Sequence, residues 1–98
     1  MNYNFEWDPR KAKINLKKHN VSFEIAATIF NDPCAISMFD DEHSILEDRW
    51  ITLGIDKNGN LIVLIHTYNQ IDESNIVIRI ISARKASKQE KKQYKELT

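Results

Sequence analysis

Two arginines stand in a setting where a folded chain seldom puts one. The stretch Asn75-Ile76-Val77-Ile78-Arg79-Ile80-Ile81-Ser82-Ala83-Arg84 opens as an unbroken β-branched run, the pattern of a buried strand. A guanidinium keeps its charge and needs partners once it leaves water. Arg79 sits inside the run and Arg84 closes it. Upstream, Leu61-Ile62-Val63-Leu64-Ile65-His66-Thr67-Tyr68 forms a second apolar run that ends in His66 and Tyr68. Two adjacent inner strands that release arginine, histidine, tyrosine and serine at their ends would make a phosphate site on a rigid sheet.

Those strands need support from the rest of the chain. Tyr3 to Trp7 alternates aromatic and polar residues, a short strand by its period of two. Asp8-Pro9 reads as an N-cap followed by proline at the first helical position, with Trp7 and Ala12 as a hydrophobic staple. This helix runs to about His19 with Ala12, Leu16 and His19 near one face, and Asn20 suits its left-handed end. Ser22 caps a second helix whose Phe23, Ala26, Ala27 and Phe30 make a core stripe; Asn31-Asp32-Pro33 stops it. Short strands follow at Cys34 to Phe39 and Arg49 to Asp56. Asn58-Gly59 is a hairpin signal leading into Leu61 to Tyr68, and the polar residues Asn69 to Ser74 loop to the strand of Arg79. Ser87-Lys88-Gln89-Glu90 is a capping box that opens a polar terminal helix. The expected class is α+β: two N-terminal helices packed on a mainly antiparallel sheet of about four to five strands, with a C-terminal helix. The second sheet face is left for function.

Ninety-eight residues, 42% of them hydrophobic, fit one domain spanning 1–98. A single cysteine, Cys34, excludes an internal disulfide and disfavours a cysteine-based metal site. Asp40-Asp41-Glu42-His43 reads as a solvated turn, because four consecutive loop residues seldom converge on one ion. No metal or other cofactor is expected. Met1 to Glu6 has neither the basic region nor the apolar core of a signal peptide, and no apolar run reaches membrane length, so the expected location is the cytoplasm. Net charge is zero, but Arg10 to Lys18 carries five basic residues and no acid. Arg79 to Glu96 carries seven basic residues against two acids, and Asp32 to Asp56 carries seven acids against Arg49. The two basic segments would hold a phosphate chain or form solvated helix faces.

At this point the sequence resembles a known family. Phe5-Glu6-Trp7-Asp8, Lys11 and Asn15, then Lys18-His19-Asn20-Val21-Ser22-Phe23-Glu24, then Phe30 and Asp32-Pro33, resemble the start of the BrnT toxins. Glu47-Asp48-Arg49, Gly54, Arg79-Ile80-Ile81-Ser82-Ala83-Arg84-Lys85-Ala86, Glu90 and Tyr94 resemble the remainder, in the same order and spacing. The resemblance implies the toxin half of a type II toxin–antitoxin pair and a RelE-like ribonuclease fold. It implies RNA cleavage that inhibits translation and neutralisation by a BrnA-type antitoxin in a tetramer of two toxins and two antitoxins. Operator DNA would be met only through the antitoxin. Two departures stand out: Asn20 where members often have glycine, and Tyr68-Asn69-Gln70 where many carry an arginine. The second removes one phosphate-binding charge, so an alternative is a catalytically weak binding module that partners the antitoxin in operon control.

RNA can be cut without metal when the ribose 2′-hydroxyl attacks the adjacent phosphorus. The residues expected to serve that chemistry are Arg79 and Arg84 on the scissile phosphate, His66 as acid or base, and Tyr94 as a stacking ring or proton donor. Arg49, Lys18, His19 and Lys85 are expected RNA contacts. Each has a plainer reading. Residues 79 and 84 differ in parity, so on a straight strand they face opposite sides; they share a site only if the chain bends near Ser82-Ala83 or leaves the sheet. Otherwise one of them holds the terminal helix or an acid such as Glu47. The plainer readings make His66 a hydrogen-bonded structural residue, His19 a helix-end cation, and Tyr94 a cover for the sheet edge.

Overall fold

A computed structural model describes residues 2–98. The chain runs β1 (Asn2–Glu6), α1 (Pro9–His19), α2 (Phe23–Ala26), a 3-10 turn (Ala27–Asn31), β2 (Ile36–Phe39), β3 (Trp50–Ile55), β4 (Leu61–His66), β5 (Asn69–Gln70), β6 (Asn75–Lys85) and α3 (Lys88–Leu97). The helix ends follow the capping chemistry of the sequence. Asp8 accepts from the Arg10 N–H at 2.8 Å, Asn20 takes the left-handed conformation at φ 56°, and Ser87 and Glu90 form the reciprocal capping box. The second helix is shorter than its apolar stripe suggests. Thr28 donates its hydroxyl to the Ile25 carbonyl at 2.6 Å, a side-chain bond that competes with the helical ladder, and the chain tightens into the 3-10 turn there.

The sheet has six strands in the order β1-β6-β4-β3-β2, with β5 also paired to β6. It departs from the expected mainly antiparallel sheet of four to five strands in having a sixth strand and one parallel pairing, which makes it mixed, for two reasons. The N-terminal strand returns to lie parallel against the last strand, Asn2 beside Asn75 through Glu6 beside Arg79. And β5 forms inside the polar stretch that reads as a loop. Its turn is tied by Asp72, which accepts from the Ser74 and Asn75 N–H groups at 2.8 and 2.9 Å.

Cross-strand partners share a face, and the pairings sort the side chains cleanly. One face carries Tyr3, Phe5, Ile76, Ile78, Ile80, Ala83, Ile62, Leu64, His66, Thr52 and Gly54. Phe23, Ala26 and Ile29 pack on it and build the core. Each fully buried side chain of this kind stabilises by about 1.5–3 kcal/mol. Gly54 is needed where β3 passes the 3-10 turn: a Cβ there would lie 3.0 Å from that of Ile29.

Helix α1 covers this face by an unexpected residue. Leu16 is 48% exposed, while Asn15 is buried. Parallel pairing with β1 ends at Arg79, and farther along β6 the backbone of Ala83 is met by the Asn15 amide instead. Nδ2 donates to the Ala83 carbonyl at 2.8 Å, and the Ala83 N–H donates to Oδ1 at 3.0 Å. Nδ2 also donates to the Val21 carbonyl at 3.0 Å. One side chain thus replaces a neighbouring strand and fixes the helix to the sheet.

The other face of β6 carries Arg79, Ser82 and Arg84. Between Ile65 and His66 the register to β6 slips: Ile65 pairs with Ser82, but His66 pairs with Ile80. Ile81 is the extra residue of a β-bulge, which resets side-chain alternation. Core positions accordingly step from Ile76, Ile78 and Ile80 to Ala83. Arg79 and Arg84, of opposite parity, are brought to the same side.

Candidate active site

Arg79 leaves the middle of β6 on the face away from the helices. Its backbone is held by Thr67: the Arg79 N–H donates to Thr67 Oγ1 at 3.2 Å and the Thr67 N–H donates to the Arg79 carbonyl at 3.0 Å. The guanidinium donates through Nη2 to the carboxylate of Glu47. Arg49 approaches the same carboxylate, Nη2 to Oε1 at 3.7 Å, and its buried Nε has no hydrogen-bond partner among the described residues. Glu47 arrives on the segment between β2 and β3, which is closed by the Asp40 N–H donating to the Arg49 carbonyl and the Arg49 N–H donating to Ser44 Oγ. Arg79 holds the Glu47 carboxyl below its usual range, with help from the Arg49 and Lys11 charges. Glu47, Thr67 and Arg79 border a cavity of about 300 Å³ together with Glu6, Asp48, Tyr68, Asn69 and Val77, and Arg49 reaches Glu47 from outside that lining.

Arg84 shares that face but is engaged elsewhere. It donates to both oxygens of Glu90, at 2.7 and 2.9 Å, a fork-to-fork pair that depresses the Glu90 carboxyl to about 2. The capping residue of α3 is thereby tied to the end of β6. Tyr94, one turn farther along, donates its hydroxyl to Asp32 at 2.6 Å. Asp32 also accepts from the Cys34 and Ile55 N–H groups, and these bonds outweigh its burial and keep it ionised. The hydrogen bond to Asp32 raises the Tyr94 phenol to about 12. Its ordinary value is near 10, so the contribution to stability is complete below pH 10 and is lost as pH rises towards 12. Tyr94→Phe should lower unfolding free energy by about 1 kcal/mol at pH 7, and chemical denaturation at pH 7 and pH 11 should show the difference shrinking.

His66 lies on the opposite, helix-covered face and is 1% exposed. Its Nδ1 is 2.8 Å from the Thr67 carbonyl, which can only accept, so Nδ1 carries the hydrogen. Burial pushes the imidazole below its ordinary value. In the neutral ring Nε2 accepts from Thr52 Oγ1 at 2.6 Å, and Thr52 in turn accepts from Ser37 Oγ at 2.8 Å. Both nitrogens are satisfied by structural partners. The unfolded chain takes up this proton more readily than the folded one, so stability should fall as pH drops below about 6.5. Replacing His66 with glutamine should flatten that limb of a stability–pH curve measured by urea titration.

Of the eight residues the sequence singles out, Arg79 borders the cavity and Arg49 meets the same carboxylate, Glu47, from outside its lining. Arg84 lies on the same face, paired to α3. His66 and Tyr94 lie outside the lining of that cavity. Lys18 and His19 belong to the last turn of α1, and Lys85 borders a cleft with Leu16 and Asn20 at the same end of the molecule. Thr67 is a site residue that strand-pattern reasoning passes over, and Glu47 enters that reasoning only as a structural partner for one of the arginines. Glu47 sits in an irregular segment, where its one signal is proximity in sequence to Arg49.

A sequence profile described as "Ribonuclease toxin, BrnT, of type II toxin-antitoxin system" matches residues 7–90. The chain belongs to the BrnT family. No curated protein sequence gives a significant match. BrnT membership makes the chain a ribonuclease toxin whose substrate is RNA and whose partner is an antitoxin. The matched span contains Glu47, Arg49, Thr67 and Arg79, so the whole cluster falls within the part that defines the family. It ends at Glu90, before Tyr94. Among the described residues no helix is long and apolar enough to cross a membrane.

Proposed function

We propose that this BrnT-family toxin is a metal-independent endoribonuclease of RelE-like fold that cuts RNA by attack of the ribose 2′-hydroxyl and thereby inhibits translation. The observation that carries this reading is the convergence of Arg79 and Arg49 on one carboxylate, Glu47, at an open cavity. A carboxylate between two arginines occupies the position that suits a phosphate. When the scissile phosphate takes Arg79, Glu47 loses its strongest partner and becomes a better base. It then accepts the 2′-hydroxyl proton, a role that typically adds about 10²–10⁴ in rate. Arg79 and Arg49 stabilise the charge that develops on the phosphorane. The departing 5′-oxygen takes its proton from water that enters the open cavity.

Arg84 and Tyr94 serve this chemistry indirectly, by holding α3. Lys18, His19 and Lys85 extend the RNA track beyond the reacting nucleotide. A BrnA-type antitoxin neutralises the toxin in a two-plus-two tetramer, and operator DNA is reached through that antitoxin. The test is incubation of purified protein with structured RNA in excess chelator. The expected products end in 2′,3′-cyclic phosphates. The resting pairing of Arg79 with Glu47, with Tyr68-Asn69-Gln70 where the resemblance leads one to expect an arginine, favours the second reading of a weakly active binding module; absence of cleavage with antitoxin binding intact would establish that one instead.

A further inference from the structure

A second cavity, of about 350 Å³, opens on the helix-covered side of the sheet and is lined by Tyr3, Phe30, Trp50, Tyr68, Asp32 and Ser37 among others. Its size falls within the range of small-ligand pockets, about 300–1,000 Å³. Tyr68 borders both this pocket and the arginine cavity, so the two meet at the sheet end where β4 gives way to Thr67 and Tyr68. Rings dominate its walls, with Tyr3 and Phe30 centroids 5.3 Å apart. Aromatic walls of this kind stack nucleobases.

Two polar side chains of the pocket, Asp32 and Ser37, are left as acceptors, beside the Tyr3 and Tyr68 hydroxyls and the Trp50 indole N–H, which can donate. Asp32 accepts three hydrogen bonds, whereas a carboxylate has about four acceptor positions. Ser37 gives its hydrogen to Thr52, because the Thr52 hydrogen goes to the neutral His66 ring. The free capacity of Asp32 and the Ser37 oxygen is therefore for accepting. Adenine, cytosine and guanine present an exocyclic amino donor; uracil has no amino group and offers a single ring N3–H flanked by two carbonyls, which Asp32 and Ser37 would repel.

We propose that this pocket receives one unpaired RNA base bearing an exocyclic amino group, stacked beside Tyr68, while the adjoining phosphate lies at Arg79. The inference rests on the ribonuclease reading of the arginine cavity and adds its base selectivity. Tyr3 and Tyr68 are each 42% exposed, so both can be removed without opening the core.

Trp50 reports on the pocket. In a Trp7→Phe background it is the remaining tryptophan, and its fluorescence is titrated with the 3′-monophosphates of adenosine, cytidine and uridine and with ribose 5-phosphate. Calorimetry on the unmodified chain repeats each titration. Adenosine and cytidine monophosphates should bind, uridine monophosphate about tenfold more weakly, and ribose 5-phosphate should leave the emission unchanged. Tyr68→Ala should weaken the adenosine nucleotide by roughly tenfold, the size of one lost stacking contact. Equal binding of uridine and adenosine nucleotides, or an unchanged affinity in Tyr68→Ala, would overturn the proposal. So would a Trp50 response to the antitoxin with none to nucleotides, which would make the pocket a protein-docking site. Base discrimination without RNA cleavage would support the pocket and remove the ribonuclease reading; cleavage without discrimination would remove the pocket alone.

Discussion

Arg79→Ala should lower RNA cleavage by about 10²–10³-fold, the cost of removing one oriented donor from a developing oxyanion. The substitution should leave cooperative unfolding intact. Arg79 is half-buried and its guanidinium contacts one exposed carboxylate, while its backbone stays fixed by Thr67. Single-turnover cleavage of a short RNA, beside a thermal melt of the same sample, separates the two effects. Arg79→Lys should recover little, because an ammonium keeps the charge but loses the planar fork that grips two phosphate oxygens. Arg84→Ala makes the contrast. Its partner is Glu90, so its effect should track the attachment of α3, and cleavage by the folded fraction should change far less than in Arg79→Ala.

Asn15→Ala should be the most damaging single change to stability at a polar position. Its side chain satisfies the Ala83 N–H and two carbonyls in a place sealed from water. Each buried group left unpaired costs about 1–3 kcal/mol, so a loss of about 3 kcal/mol or more is expected, set against a whole-domain stability of about 5–15 kcal/mol. Urea titration should show the midpoint falling sharply. Asn15→Leu has nearly the right volume and should do no better, since the missing element is hydrogen bonding and not bulk. Leu16→Ala, one residue along, should change little because Leu16 is half exposed.

These contrasts mark what local pattern reveals. The helix ends were legible because Asp8-Pro9, Asn20 and the Ser87–Glu90 pair satisfy backbone groups within a few residues of themselves. The long β-branched runs announced β4 and β6 for the same local reason. Pairings across the whole chain left no such mark: β1 lies parallel to β6, 73 positions away at Asn2 and Asn75, and Asn15 reads as an ordinary polar residue until Ala83 is beside it. The bulge at Ile81 is the sharpest case. An alternation rule applied to residues 79 and 84 separates them, and one extra residue, visible only in the slipped register against His66, reunites them. The candidate site was legible by half. Arg79 and Arg49 declare themselves by charge in apolar surroundings, whereas Glu47 comes from a segment with no periodic pattern. His66 shows the converse. Its residue type suggests proton transfer, yet the fold uses it to join Thr52 to the Thr67 carbonyl within the protein.

The position of the phosphate site can be read directly by titrating isotope-labelled protein with RNA carrying 2′-O-methyl groups, which removes the attacking hydroxyl and preserves the phosphates. The Arg79 and Arg49 side-chain signals and the Thr67 and Tyr68 amides should shift first and saturate together, with the Glu47 carboxyl moving as its pairing to Arg79 is released. Shifts confined to Lys18, His19 and Lys85, with the Arg79–Glu47 pair undisturbed at saturation, would place the RNA at the far end of β6 and contradict an active site built on Arg79.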